Sequence, residues 1–309
     1  MKQYLVFDIG GTFIKYALMG ADGSLLESGK TPSPMDCLDS LLDAVEGVGR
    51  QFAGRYEGVA VSMPGRIDTA AGIARTGGSF AYIHETPVGQ LFGQRLDAPV
   101  WVANDGKCAA NAEAWSGALA DVSCGAVIVL GTGTGGGIVL DRRIWMGSNF
   151  AAGELSFLPT VFAGMSAMHL KGIDRSMMQR FWSAHASATG LLRVYAERKG
   201  IPADGLDGVQ FFATYDAGEP EAAAALDDFG EMTAAGIYAI QSVLDLERYA
   251  IGGGISARPE VTDVIRHKLD DIYAGISFSP FRKPEVVRCR YGNDANLLGA
   301  LRFALHGGV

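Results

Sequence analysis

The sequence predicts an α/β protein in which one supersecondary unit is used twice. Residues 4–24 read as strand, Gly/Thr loop, strand and tight turn, and residues 125–143 repeat that layout. Hydrophobic residues make up 48% of the 309 and charged ones 19%, enough apolar side chain for a large core. The 42 glycines cluster at strand ends, which points to several loops of close backbone approach rather than to a flexible chain. Two copies of one unit suggest a duplicated α/β domain with a nucleotide between its halves.

The elements follow in order. Tyr4 to Phe7 is a short apolar strand that delivers Asp8 and then Gly10-Gly11-Thr12; the chain turns apolar again through Ile14 and Leu18. Asp22-Gly23 marks a hairpin turn, and Ser24 to Thr31 a third strand. Leu38, Leu41, Leu42, Val45 and Val48 fall at helical spacing. Glu57 to Ser62 reads as a buried strand running into Met63-Pro64-Gly65, residues 88–97 as a helix, and Val100 to Val102 as a strand ending at Asn104-Asp105. A helix is expected over Gly106 to Trp115, a loop over Gly117 to Ser123 and a strand over Gly125 to Leu130. The run Gly131-Thr132-Gly133-Thr134-Gly135-Gly136-Gly137 reads as a loop, Ile138 to Leu140 as a strand and Asp141-Arg142-Arg143 as a turn. Beyond it are expected one or two helices over 174–200, a loop through Ile201-Pro202 to Gly208 and a long helix over Glu219 to Leu244. Arg248 to Ile251 is a strand opening onto Gly252-Gly253-Gly254, followed by a helix from about Glu260 to Tyr273. Glu285 to Arg290 is the last strand and Asn293 to Leu305 a closing helix.

A net charge of −8 argues against nucleic acid as a main partner, because backbone binding needs a basic face. Cys37, Cys108, Cys124 and Cys289 are widely spaced and read as reduced thiols. The first strand begins almost at Met1, and no apolar run approaches the ~20 residues of a membrane helix. The expectation is a cytoplasmic protein without a membrane partner.

Paired glycines let backbone N–H groups approach a phosphate, so Gly10, Gly11 and Thr12 form a candidate cradle. Asp8, at the end of the preceding strand, is placed to hold a hydrated Mg²⁺ beside those phosphates. The alternative is an ordinary hairpin turn. Two decoys fall away. Glu27-Ser28-Gly29-Lys30-Thr31 resembles the end of a P-loop but has Ser24 where that motif needs glycine. Gly131, Gly133 and Gly136 satisfy G-x-G-x-x-G, yet a strand and a turn follow where a dinucleotide fold needs a helix. The five histidines are scattered and none pairs at metal-ligand spacing. Asn104-Asp105 stands at a strand end just before a helix, so Asp105 is either a base for a substrate hydroxyl or a plain N-cap. Glu154 is either a polyol ligand or a solvated charge.

Taken together, these landmarks resemble the ROK family (repressor, open reading frame, kinase) over some ~290 residues, by the order of several short motifs. The phosphate-one loop is similar to Asp8-Ile9-Gly10-Gly11-Thr12, with Lys15 counted among its phosphate-binding residues, and the S-x-P-G-x-I-D segment to Ser62 through Asp68. The N-D pair corresponds to Asn104-Asp105, the phosphate-two loop to Gly131 through Gly137, and A-G-E to Ala152-Gly153-Glu154. Gly252-Gly253-Gly254 resembles the adenosine loop and Asn293 through Ala300 the closing helix.

The resemblance implies two duplicated actin-like (ribonuclease H-like) domains with a nucleotide and sugar cleft between them: residues 1–116 with the closing helix 293–309 packed back, and 117–292. It implies ATP-dependent phosphorylation of a sugar, commonly at the 6-hydroxyl, and a homodimer. By resemblance Asp105 is the base. Asp8 is the Mg-associated carboxylate, acting through water. Gly10, Gly11, Thr12, Gly131, Thr132, Gly133 and Gly252 to Gly254 bind ATP, and Gly65, Gly78, Asn104 and Glu154 belong with Asp105 to the sugar site. Zinc is not expected: Ser156-Phe157 stand where many members have G-H, and residues 158–182 hold no cysteine for the zinc module. A sugar-binding glutamate falls at Ser183. Those departures, with Thr76-Gly77-Gly78-Ser79, are similar to the zinc-less β-glucoside kinase branch and imply relaxed recognition at one end of the sugar. Two rival readings are a repressor, which carries a helix-turn-helix ahead of the first loop where only seven residues precede Asp8, and a catalytically silent sugar sensor.

Overall fold

A computed structural model describes residues 1–165, 178–292 and 294–306. By its packing the chain divides into two compact units. The first comprises Met1–Asp121, Gly137–Gly153 and Asn293–Val309, the second Val122–Gly136 and Glu154–Gly292.

The first unit opens with β1 (Gln3–Ile9), β2 (Phe13–Gly20) and β3 (Leu25–Pro32), a meander in which Asp8 faces Lys15 across the first pair. Helix α1 (Leu38–Gln51) lays Leu41, Leu42, Val45 and Val48 into the core, as their spacing predicts. Strand β4 (Gly58–Met63) is buried along its whole length and pairs in parallel with β1, setting Ser62 beside Asp8. A small antiparallel sheet follows, made of β5 (Ile67–Asp68), β6 (Ile73–Thr76) and β7 (His84–Thr86). Then come α2 (Val88–Leu96), β8 (Val100–Asn104) and α3 (Asp105–Ser116). The main sheet has the order β3-β2-β1-β4-β8, so the C-terminal ends of β1, β4 and β8 lie side by side, with Met63 registered against Asn104. That row of strand ends carries the candidate chemistry, as is usual in open α/β sheets.

The second copy begins at β9 (Gly125–Leu130), β10 (Thr134–Leu140) and β11 (Arg143–Ile144). Helices α4 (Ala188–Lys199), α5 (Gly208–Asp216) and α6 (Pro220–Leu244) precede β12 (Arg248–Gly252), α7 (Pro259–Gly275) and β13 (Glu285–Arg288). Its strand order is β11-β10-β9-β12-β13, with β9, β12 and β13 parallel. Strand for strand this repeats the first sheet, which is the duplication read from the sequence. The closing helix α8 (Ala295–Leu305) belongs to the first unit and packs on α3, β1 and β4. The α3–α8 approach is so close that a Cβ at Gly299 would lie 1.7 Å from the Cys108 carbonyl oxygen.

Several expected boundaries move. Thr134 to Gly137 are strand, not loop. Their glycines are there for close packing: a Cβ at Gly136 would come 2.6 Å from the Val127 carbonyl oxygen, and one at Gly137 2.5 Å from Ala110 Cβ. In the 174–200 region helix runs from Ala188 to Lys199, preceded by a single 3₁₀ turn at Trp182–Ala184; residues 174–177 lie outside the described residues. The stretch ending at Gly208 is followed by a helix the sequence reading left out, α5, started by a capping box between Asp207 and Gln210. Strand β13 stops at Arg288, two residues early, and Asn293 lies outside the described residues. Among the described residues no helix is long and apolar enough to cross a membrane.

Candidate active site

In the first unit the phosphate-type loop is a tight hairpin between β1 and β2. Gly10 N–H donates to Phe13 O at 3.0 Å, and the loop is held from outside by Ser33, whose N–H reaches Thr12 O at 3.0 Å and whose hydroxyl reaches Gly10 O. Gly11 and Thr12 remain exposed at its tip. Asp8, only 7% exposed, has one carboxylate oxygen fixed by Ser62 Oγ at 3.0 Å and Asn296 Nδ2 at 3.0 Å. Its other oxygen lies 3.6 Å from Lys15 Nζ. Three elements thus orient one carboxylate beside the loop. Sequence reading found Asp8 and Lys15; it missed Ser62 and Asn296 as their partners, although both lie in segments it had marked.

Asn104 and Asp105 occupy the junction of β8 and α3. Asn104, not Asp105, is the N-cap: its Oδ1 accepts Lys107 N–H at 3.1 Å. Both amide hydrogens of Asn104 are also engaged, one on Gly65 O and one on Asp105 Oδ1, each at 2.9 Å. Asp105 is the first helical residue, and the same Oδ1 accepts Gly106 N–H at 2.8 Å. Gly65 is a glycine by necessity. Its φ is +101°, and a Cβ there would fall 2.1 Å from Thr76 O. Gly78, at φ +60°, backs onto Pro64 and Gly65, so the Gly65 and Gly78 loops lie one against the other. Beneath them Cys108 is fully buried beside Ser62, and burial pushes its thiol well above the usual range.

In the second unit Gly131 N–H bonds Gly133 O at 3.0 Å, and Gly131 O accepts the N–H of Ala188 at 2.9 Å, which ties the loop to the start of α4. Thr134 is buried, its hydroxyl on Ala186 O at 2.6 Å. Ser156 Oγ bonds both the N–H and the C=O of Thr134, at 3.3 and 3.1 Å. A methyl group at Gly133 would lie 3.2 Å from the hydroxyls of both Ser156 and Ser183. The two departures from the family pattern therefore meet at this one loop. Glu154 is exposed at the entrance to the 3₁₀ turn Leu155–Phe157.

Gly253, at φ +91°, abuts the end of β9; a Cβ would sit 2.3 Å from Leu130 O. Beside it is a cavity of about 790 Å³. Gly131 and Thr132 line one part of it, Gly254 and Ile255 another, with Val209 and Phe212 of α5 completing an apolar wall. Its volume and lining suit a ligand of nucleoside size. Arg258 stacks on Phe212 at 4.7 Å and makes two bonds to Asp216, at 2.9 and 2.6 Å. Those bonds hold the Asp216 carboxyl below its usual range and the guanidinium above its own. Sequence reading placed Gly131, Thr132 and Gly254 here but missed α5. The D-x-x-Q at Asp207–Gln210 was the signal that would have found it.

Duplicated α/β units, each with a glycine loop between its first two strands, define an actin-like protein, with a cavity of nucleoside size in the second unit. The ROK family model matches residues 4–306, and the chain belongs to the ROK family. Among its relatives, a beta-glucoside kinase of Klebsiella pneumoniae is 31% identical over 302 residues, covering 96% of this chain and 93% of the relative. An N-acetyl-D-glucosamine kinase of Escherichia coli O127:H6 is 27% identical over 308 residues, covering 96% and 98%. A ROK family protein from Streptococcus pneumoniae TIGR4, solved in complex with sucrose, superimposes with a TM-score of 0.83 at 26% identity over 98% of both chains.

Proposed function

We propose that this protein is an ATP-dependent sugar kinase that transfers the γ-phosphoryl group to the 6-hydroxyl of a hexose or β-glucoside, with Asp105 as general base. The observation that carries the reading is the Asn104–Asp105 junction. Asn104 supplies the helix cap, so Asp105 is not needed for capping, and its carboxylate is steadied by Asn104 Nδ2 and the N–H of Gly106. A carboxylate so held accepts the hydroxyl proton as the O–P bond forms. Positioning supplies most of the rest of the barrier reduction in phosphoryl transfer.

In this reading the loops Gly10 to Thr12 and Gly131 to Gly133 bind the phosphates through the N–H groups of Gly11, Thr12, Thr132 and Gly133, those of Gly10 and Gly131 closing the loops themselves, and the cavity walled by Gly254, Val209 and Phe212 takes the adenosine. Gly65, Gly78 and Glu154 contact the sugar, while Asn104 acts mainly by holding Asp105, both of its N–H bonds being spent. Mg²⁺ arriving with ATP neutralises phosphate charge. Asp8 is the residue that would hold it, through water. The donor set fits that role: one oriented carboxylate, beside a loop of backbone N–H groups, suits a cation bound chiefly by substrate phosphates. With Ser183 in place of a longer acidic ligand, hydroxyl recognition at one end of the sugar is relaxed, so a substituent there is tolerated.

The test is ADP release with Mg·ATP over glucose, mannose, fructose, N-acetylated hexosamines, cellobiose and aryl β-glucosides, with Asp105→Asn as control. Turnover that depends on Asp105 is the expected result, with β-glucosides among the substrates. Sugar binding by thermal shift without any turnover would instead make the protein a sugar sensor.

A further inference from the structure

A second cavity, of about 470 Å³, lies in the first unit where the C-terminal part of α3 meets the β10–β11 turn and the end of α8. Trp115 on its wall is ten residues along α3 from Asp105, which at the helical rise is about 15 Å. None of the residues assigned to nucleotide or sugar lines it.

Its chemistry is cationic on a chain of net charge −8. Arg142 comes from the turn, Arg143 from the start of β11 and Arg302 from α8, while His306, the residue that caps α8, is held below the usual imidazole range by burial and by Arg302 and adds no charge. Arg302 is laid on the Trp115 ring at 5.1 Å, and burial draws its pKa down. Arg142 donates only to the carbonyl oxygen of Ala120, at 2.7 Å. Among the described residues none of the three guanidinium groups has a carboxylate partner, although Asp141 lines the same cavity. By contrast Arg75, Arg95, Arg198 and Arg258 each hold one or two carboxylates. Asp141 and Arg142 sit at φ +50° and +63°, a left-handed turn made without glycine. Asn111 uses its amide on Gly299 O at 3.1 Å, and its carbonyl oxygen has no bond among the described residues.

We infer that this cavity is a second ligand site that takes a phosphorylated hexose. Guanidinium forks match phosphate oxygens. Asn111 and Asp141 accept from hydroxyls, and the Trp115 ring, with Arg302 laid on it, gives the sugar ring a flat aromatic wall. A bare inorganic anion would meet Asp141 with nothing to offer it. A hexose phosphate satisfies both halves of the lining. The inference concerns binding and stands whether or not the protein is a kinase.

The experiment is calorimetric titration of the full chain with glucose 6-phosphate, without nucleotide, on wild type and on the double variant Arg142→Gln/Arg143→Gln. Both residues are exposed, Arg142 on the turn and Arg143 at the start of β11, so the variant should melt as wild type does and release ADP at an unchanged rate when no sugar phosphate is added. The expected result is binding by wild type, weakened about tenfold or more in the variant, since removing one charge-assisted hydrogen bond to a phosphate is worth roughly that factor. Inorganic phosphate should bind more weakly than glucose 6-phosphate. Undiminished affinity in the variant would place the ligand elsewhere, in the catalytic site if anywhere. Equal affinity for inorganic phosphate would reduce the site to an anion patch. No binding to wild type would remove it. Each of these three results overturns the inference, and none of them depends on catalytic turnover.

Discussion

At Asn104 and Asp105 the sequence could assign a helix cap only to the pair, and the structure gives it to Asn104. Either reading of Asp105, cap or base, was compatible with a strand end before a helix. The cap is decided by which side chain accepts the N–H of Lys107, a local hydrogen bond that no spacing rule reports. Because the cap is Asn104, Asp105→Asn should leave the helix intact and act on chemistry. We expect kcat to fall by about 10²–10⁴ with the sugar KM within a few-fold. Asn104→Ala should do the reverse in part: a loss of about 1 kcal/mol of stability from the missing cap, together with a lower kcat as Asp105 is released. Thermal melts and steady-state kinetics on both variants separate the two, and a kinetically silent Asp105→Asn would move the base elsewhere. Cys108 offers a check on packing at the same spot. Its burial and raised pKa should protect it from alkylation at pH 8 while exposed Cys37 reacts, and Cys108 should label only on unfolding.

Helices were legible where they carry a long apolar stripe and obscure where they are short. α1 announces itself by Leu41, Leu42, Val45 and Val48, all buried. α5 is nine residues long, begins at a glycine and buries only the adjacent pair Phe211 and Phe212, so it shows no helical stripe to read. Its start is fixed instead by the Asp207–Gln210 capping box. Asp207→Ala should therefore cost about 1 kcal/mol and raise the KM for ATP more than that for sugar; an equal rise in both would separate α5 from the nucleotide. α8 was anticipated, but its closeness to α3 was not. That closeness depends on Gly299, and Gly299→Val would drive two methyl-bearing branches into the Cys108 carbonyl. Overpacking of this kind costs about 1–3 kcal/mol. Since α8 also carries Asn296, which holds Asp8, urea unfolding and kcat should both suffer, and loss of stability alone would show that Asp8 does not need that bond.

Over the whole chain the duplication was readable because it lives in local order: strand, glycine loop, strand, turn, twice. The same strand order is built from each copy, with an antiparallel edge strand on one side and a parallel pair on the far side, the edge strand being eight residues in the first sheet and two in the second. What a metal would bind to is a property of the whole molecule, and the sequence argued from absence, with no cysteine over residues 158–182. Among the described residues no three His, Cys, Asp or Glu side chains gather as a metal site. A single oriented carboxylate at Asp8 does not make a divalent-ion site by itself, because such ions need several ligands, which in the proposed reaction would come from nucleotide phosphates and water. Purified protein should therefore carry zinc far below one ion per chain by elemental analysis. Excess EDTA should abolish turnover, and Mg²⁺ should restore it in full without added zinc. The melting temperature of the nucleotide-free protein should not respond to EDTA, since a bound structural ion would stabilise the fold by mass action and its removal would show. Stoichiometric zinc, or a melt lowered by the chelator, would mean that residues beyond Asp8 hold a metal of their own.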